Sequence, residues 1–391
     1  MSKTRKLFLA DYCLTPFDRI PSGGILCENG KIIAVGGASA FSMCEEHLEI
    51  VKVKDAYALP GFIDSHIHGI GLLDTAHAAE KDFSLAAMSH ALAAHGVTTF
   101  FPTLISLPRE KMLATIESLA DQIEKGCPDS DPQGMHIEGP FLNPEKRGSQ
   151  DLDCILPIDL VFAGELIAAG KNHIKVMTFA PELDLAPELV ELLLENGVIP
   201  SMGHSLATEE QALRCVDAGC TRSTYIFNGM PVLYHRESTL TTVALTDDRI
   251  SVEMIVDGLH LHPRMIDLTA RCKPKEKIIG ISNAVSPGAK RSASTAAQIV
   301  KNESGIISGA TLTLENSWLH LMNFAHLEQS AAAACFTLNP ALDLGLITRG
   351  ELRPGKRADI TFFDSHTNEV RMTVSRGEII YDREKDQAPS E

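Results

Sequence analysis

The spacing of apolar and polar positions divides this chain into three stretches. Over residues 5 to about 57, short apolar runs alternate with polar positions at the period of a β-strand, as in Lys6-Leu7-Phe8-Leu9, Gly24-Ile25-Leu26-Cys27 and Lys31-Ile32-Ile33-Ala34-Val35. Glu28-Asn29-Gly30-Lys31 joins the last two as a hairpin, because Asn-Gly supplies the positive φ angles of a tight turn. From Leu59 the rhythm becomes apolar run, loop, helix-spaced segment, repeated. Strands are expected at 59–66, 97–102, 135–138, 174–180, 198–204, 221–227, 250–256 and 277–283. Helices are expected at 83–95, 109–125, 160–169, 187–196, 208–218 and 263–272. Eight strands with crossovers match a closed parallel (β/α)8 barrel, with an open doubly wound sheet as the competing architecture. Beyond it, 313–327 and 330–336 have helical spacing, and β character returns around 358–363, 369–371 and 377–381. The expected organisation is a barrel over 59–344 and a small β-sandwich built from 1–58 and 345–391.

Polar residues gather where barrel strands end. The first strand runs into His66-Ile67-His68-Gly69, and a period of two puts both imidazoles on one side, as a ready pair of metal ligands. Two surface histidines would look the same. The third strand, however, ends in His136-Ile137-Glu138, the fifth in Gly203-His204-Ser205, the sixth in Tyr225-Ile226-Phe227-Asn228-Gly229, the seventh in Asp257-Gly258-Leu259-His260 and the eighth in Ser282-Asn283. Strand ends of a barrel converge on one face, so this is a shared rim. Histidines with a glutamate suit zinc, with manganese or iron as alternatives, and such an ion serves hydrolysis.

Composition narrows the partners. The chain has 391 residues, 44% of them hydrophobic, and 35 Lys plus Arg against 51 Asp plus Glu give a formal charge of −16. Without a basic cluster, nucleic acid and anionic membrane are excluded as partners. Nine scattered cysteines with no C-x-x-C spacing read as reduced thiols. The apolar run after Met1-Ser-Lys-Thr-Arg-Lys6 is too short for a signal peptide, so a soluble cytoplasmic protein is expected.

With these residues in view, the chain resembles the N-acetylglucosamine-6-phosphate deacetylases of the amidohydrolase superfamily. The resemblance is carried by Pro60-Gly-Phe-Ile-Asp-Ser-His-Ile-His-Gly69, His136-Ile-Glu-Gly-Pro-Phe-Leu-Asn143, Gly203-His-Ser205, Asn228-Gly-Met-Pro231, Asp257-Gly-Leu-His260, Gly305-Ile-Ile-Ser-Gly309, Leu338-Asn-Pro340 and Gly355-Lys-Arg-Ala-Asp359. It implies removal of acetyl from an N-acetylated amino-sugar 6-phosphate. It also implies Glu138 and His204 as metal ligands, with His66 and His68 for a further ion in members that have one. Asn228 and Gly229 would touch the sugar phosphate and His260 the sugar. Ser149, Gln150, Ile307, Ser308 and Gly309 would lie on the substrate side, and Arg236 would reach phosphate across a homodimer.

Three positions depart from the family pattern. Asn283 stands where the family places its catalytic aspartate, Tyr225 where it places a metal-binding histidine, and Gln150 where it usually has a substrate-side histidine. An amide cannot accept water's proton, a contribution of about 10² to 10⁴ in rate, so His260 or His235 is expected to substitute. The alternative is a catalytically impaired paralogue that binds the sugar phosphate, and a different amidohydrolase reaction, such as opening a cyclic amide, is a third reading.

Overall fold

The computed structural model describes residues 5–15, 18–42, 48–286, 298–302 and 305–386; the readings made of the N-terminal Met1 to Thr4 and of Cys44 lie outside them. Eight parallel strands form the centre: β1 (Phe62–Ile67), β2 (Val97–Ile105), β3 (Met135–Glu138), β4 (Ile174–Phe179), β5 (Ile199–Met202), β6 (Arg222–Ser223), β7 (Ser251–Ile255) and β8 (Ile278–Ile281). They pair in chain order, which a doubly wound sheet does not do. The seam between β8 and β1 carries no regular ladder. It is drawn together where the backbone N–H of Asn283 donates to His66 O at 3.0 Å and that of Ser282 donates to the Asp64 carboxylate at 3.3 Å.

Helices α1 (Leu85–Ala93), α2 (Arg109–Lys125), α3 (Leu160–Ala169), α4 (Ala186–Glu195), α5 (Glu209–Asp217), α6 (Leu240–Thr246), α7 (Pro263–Cys272) and α8 (Leu314–Ala325) follow the strands. Their starts are written locally. Asp159 caps α3 by accepting the amides of Val161 and Phe162, and Thr208 with Gln211 forms a capping box on α5. Two differences from the expected elements concern the sixth unit. Helix α6 was not anticipated, and β6 is cut to two residues because Tyr225 and Phe227 have φ of 23° and 71°. Such angles end a strand and turn side chains toward the rim.

Strands from both chain ends form two further sheets. One orders Lys31–Gly37, Gly23–Glu28, Arg5–Leu9 and Leu48–Lys52; the other orders Glu378–Asp382, Val370–Ser375, Ile360–Asp364, Ala56–Pro60, Tyr12–Leu14 and Arg19–Pro21. Phe8, Ile25, Ile32, Ile360, Phe362 and Val374 share one buried cluster between them. The Asn29-Gly30 turn has φ of 53° and 75°, as its hairpin requires. Trp318 of α8, fully buried, meets Tyr57, Phe62 and Phe363 at ring-centroid distances of 6.3, 6.2 and 5.0 Å, joining the terminal sheet to the barrel wall. On the same side, Asp131 binds Arg349 at 2.6 Å and also binds Arg357, which lies 2.6 Å from Asp359. The eight described cysteines are free thiols, seven of them buried, and no helix among the described residues is long and apolar enough to cross a membrane.

Candidate metal centre

Strand β1 is buried along its whole length, and its last turn presents two imidazoles with fixed orientations. His68 Nδ1 lies 3.1 Å from Thr103 O, a carbonyl that can only accept, so the ring carries its hydrogen on Nδ1 and offers Nε2. His66 Nδ1 lies 3.0 Å from Glu253 Oε2. The two Nε2 atoms then stand 3.2 Å apart, with Glu138 Oε2 at 3.3 Å from His66 and 3.2 Å from His68. Zinc held at about 2.0–2.1 Å in tetrahedral geometry needs ligand atoms about 3.3–3.4 Å apart. These three donors therefore form one face of such a tetrahedron, and they fit a small divalent ion without rearrangement. The neighbouring Asn283 is held at φ 45°, and its Oδ1 is buried with no hydrogen-bond partner.

The other oxygen of Glu138 faces a different set. Oε1 accepts from Gln150 Nε2 at 2.8 Å, lies 2.5 Å from His204 Nε2 and accepts from the Tyr225 hydroxyl, which also touches His204 Nε2. His204 is anchored through Nδ1 to Lys146 O at 2.6 Å. Burial and Glu138 raise the Tyr225 phenol well above its ordinary value, so it is a neutral O–H donor. Glu138 Oε1, His204 Nε2 and the Tyr225 hydroxyl thus form a second close group of polar atoms beside the first.

Charge follows the same geometry. Burial alone would raise the Glu138 carboxyl, but His204, His66 and His68 outweigh it and hold the group well below the usual carboxylate range. Burial would likewise lower His66, yet Glu253 and Glu138 lift it to about 9 in the metal-free protein. His136, whose Nε2 meets Thr178 Oγ1 at 2.7 Å, is pushed down to about 3 by burial and by His66, and is neutral. His66, His136 and Glu253 also cluster closely, but Glu253 there already binds the Arg222 guanidinium, which opposes a cation.

His68, Glu138, Ser149, Gln150, His204, Tyr225, Asn228, Gly229, His260, Asn283, Ile307 and Ser308, all singled out from sequence, line one cavity of about 290 Å³. His66 is buried beneath it. Gly309 does not line it, and neither do Arg236 and His235: Arg236 is exposed and binds the Tyr234 hydroxyl, while His235 meets the Tyr234 ring edge-on. Both ends of the Gln150 amide are used, on Glu138 and on the Ser106 N–H at 2.9 Å, so this side chain braces Glu138. His260 Nδ1 lies 2.6 Å from Asp257 Oδ2, and Asp257 also accepts the amides of Leu259 and His260. Sequence reading missed Arg147, which lines the cavity, and the buried Glu253 and Arg222 below it. Their signal was a charged residue within or beside an apolar parallel strand.

Residues 57–380 match the model of the amidohydrolase family. The chain belongs to this family. The amidohydrolase is 30% identical over 388 residues to the N-acetylglucosamine-6-phosphate deacetylase of Bacillus subtilis, covering 96% of this chain and 97% of that one. It is 29% identical over 326 residues to an N-acetylgalactosamine-6-phosphate deacetylase of Escherichia coli O157:H7, covering 81% and 86%. Its fold superposes with a TM-score of 0.86 on a mutant N-acetyl-D-glucosamine-6-phosphate deacetylase of Mycobacterium smegmatis solved with N-acetyl-D-glucosamine-6-phosphate, at 27% identity over 96% of this chain and 99% of that one. The kinship read from the motifs holds for this amidohydrolase, and so does the barrel architecture.

Proposed function

We propose that this amidohydrolase removes the acetyl group of an N-acetyl amino-sugar 6-phosphate, using one divalent ion, zinc by ligand chemistry, held by His66, His68 and Glu138. The observation that carries this reading is the triangle of donors 3.2–3.3 Å apart beside a cavity of about 290 Å³. The names and coverage of the relatives support the substrate class. When bound, such an ion polarises an amide carbonyl and brings the pKa of water to about 7.

The chain's own residues do the rest. Water adds to the acetamide carbon, the C–N bond breaks, and the water proton passes to the departing amine, leaving acetate and the free amino sugar. Asn283 cannot take that proton, but its unpartnered Oδ1 can accept a hydrogen bond. His260 is the base: Asp257 holds Nδ1–H and leaves Nε2 for proton transfer. Gln150 and Tyr225 hold the second Glu138 oxygen, so the carboxylate turns its other oxygen to the ion. Arg147 is the cation lining the cavity, and Arg236, on a loop exposing Val232, Leu233 and Tyr234, completes the phosphate site from a second copy in a homodimer. Free buried thiols suit the cytoplasm.

The test is metal content of the purified protein, followed by acetate release from N-acetyl-glucosamine and N-acetyl-galactosamine 6-phosphates by wild type and Asn283→Asp. Turnover by the wild type with one ion per chain, altered less than about tenfold by Asn283→Asp, supports the reading. Sugar-phosphate binding without turnover, and a gain of orders of magnitude in Asn283→Asp, would mean the impaired paralogue instead.

A further inference from the structure

Charged side chains fill the barrel below the metal centre, where bulky branched residues are the rule. Asp343, in the helix Leu338–Asp343, binds Arg222. Arg222 binds Glu253 and donates to Ser65 Oγ at 3.0 Å, and Glu253 lies 3.0 Å from His66 Nδ1. Arg222, Glu253 and His66 are each 0% exposed. A carboxylate buried this deeply is costly unless paired, and here one oxygen meets the guanidinium while the other is aimed at an imidazole. Its pairing leaves it no freedom to turn away. His68 obtains the same orientation from a backbone carbonyl, so the two ligands are set by different means.

We propose that Glu253, clamped by Arg222, which Asp343 holds in turn, is a positioning residue that holds His66 with hydrogen on Nδ1 and the Nε2 lone pair toward the ion. The inference rests on the His66–His68–Glu138 reading of the metal centre. Outer-shell partners of metal-binding histidines typically account for 10- to 100-fold in affinity.

The experiment combines zinc affinity, by competition with a chromophoric chelator, with crystal structures of metal-free wild type, Glu253→Gln and Glu253→Leu. Glu253→Leu is expected to bind zinc 10- to 100-fold more weakly and to lose the His66 rotamer, while Glu253→Gln, whose one amide oxygen can accept Nδ1–H only with its NH2 turned toward Arg222, is expected to fall between Glu253→Leu and wild type in affinity. The double variant Arg222→Met/Glu253→Leu removes both charges together and is expected to match the zinc loss of Glu253→Leu, so a folding defect from a stranded guanidinium cannot hide the result. An unchanged His66 rotamer with zinc affinity within twofold in the leucine variants overturns the proposal. If wild type binds no zinc, the metal reading fails, and the metal-free rotamer alone decides the role of Glu253.

Discussion

On the one-ion reading proposed above, Tyr225 limits how many ions the rim can hold. Its neutral phenol bonds Glu138 and His204, the two groups that a second ion would need, whereas His66 and His68 meet only the opposite oxygen of Glu138. Tyr225→His replaces a donor by a ligand, and zinc per chain measured by elemental analysis is expected to rise from one to two. A stoichiometry that stays at one would contradict this division of Glu138. For the proton, His260→Ala is expected to lower kcat by about 10² to 10⁴ with little change in zinc content, and a loss under tenfold would remove His260 from the role. At this scale the sequence was legible where a motif fixed both type and spacing, as in His66-Ile67-His68. Glu253 was not, because its partner Arg222 lies 31 positions away in chain order and nothing local ties the two together.

Between elements, the bond between the barrel and the C-terminal stretch is electrostatic as well as apolar. Burial pushes the Asp131 carboxyl up, but Arg349 and Arg357 outweigh it and hold it below its usual value. A carboxyl lowered in the folded state contributes stability above its unfolded pKa of about 3.9 and loses it as pH falls below that. Asp131→Asn is therefore expected to cost about 3 kcal/mol at pH 7 by chemical denaturation, and the difference from wild type should shrink as pH is taken below 4. A difference independent of pH would point to packing instead. Trp318→Ala, by contrast, removes a fully buried side chain among three aromatic rings and should cost about 3–5 kcal/mol at any pH. The apolar periods located most of these elements within a few residues. They overran β6, since nothing in the stretch 221–227 announces the left-handed backbone at Tyr225 and Phe227 that ends it.

For the whole molecule, the formal charge of −16 makes an anionic substrate a problem that local cations must solve. Arg147 lines the cavity and Arg236 does not, which is the reason for placing a second copy at the mouth. If each site borrows Arg236 from its partner, mixing His260→Ala with Arg236→Ala subunits creates one intact site per mixed dimer. Activity should then recover to about a quarter of wild type, where each variant alone is inactive. No recovery would assign both residues to one chain, and an active Arg236→Ala variant on its own would dispense with Arg236. The eight-stranded barrel was legible from the count and spacing of apolar runs, and the rim from where the polar residues ended them. Which oxygen of Glu138 serves which neighbours depends on side-chain directions that sequence periods do not carry.

Anomalous diffraction at the zinc edge asks whether a single ion sits on His66, His68 and Glu138. The expected map has a single peak about 2.0–2.1 Å from both Nε2 atoms and from Glu138 Oε2. A peak between Glu138, His204 and Tyr225, or none in protein purified without chelator, would contradict it.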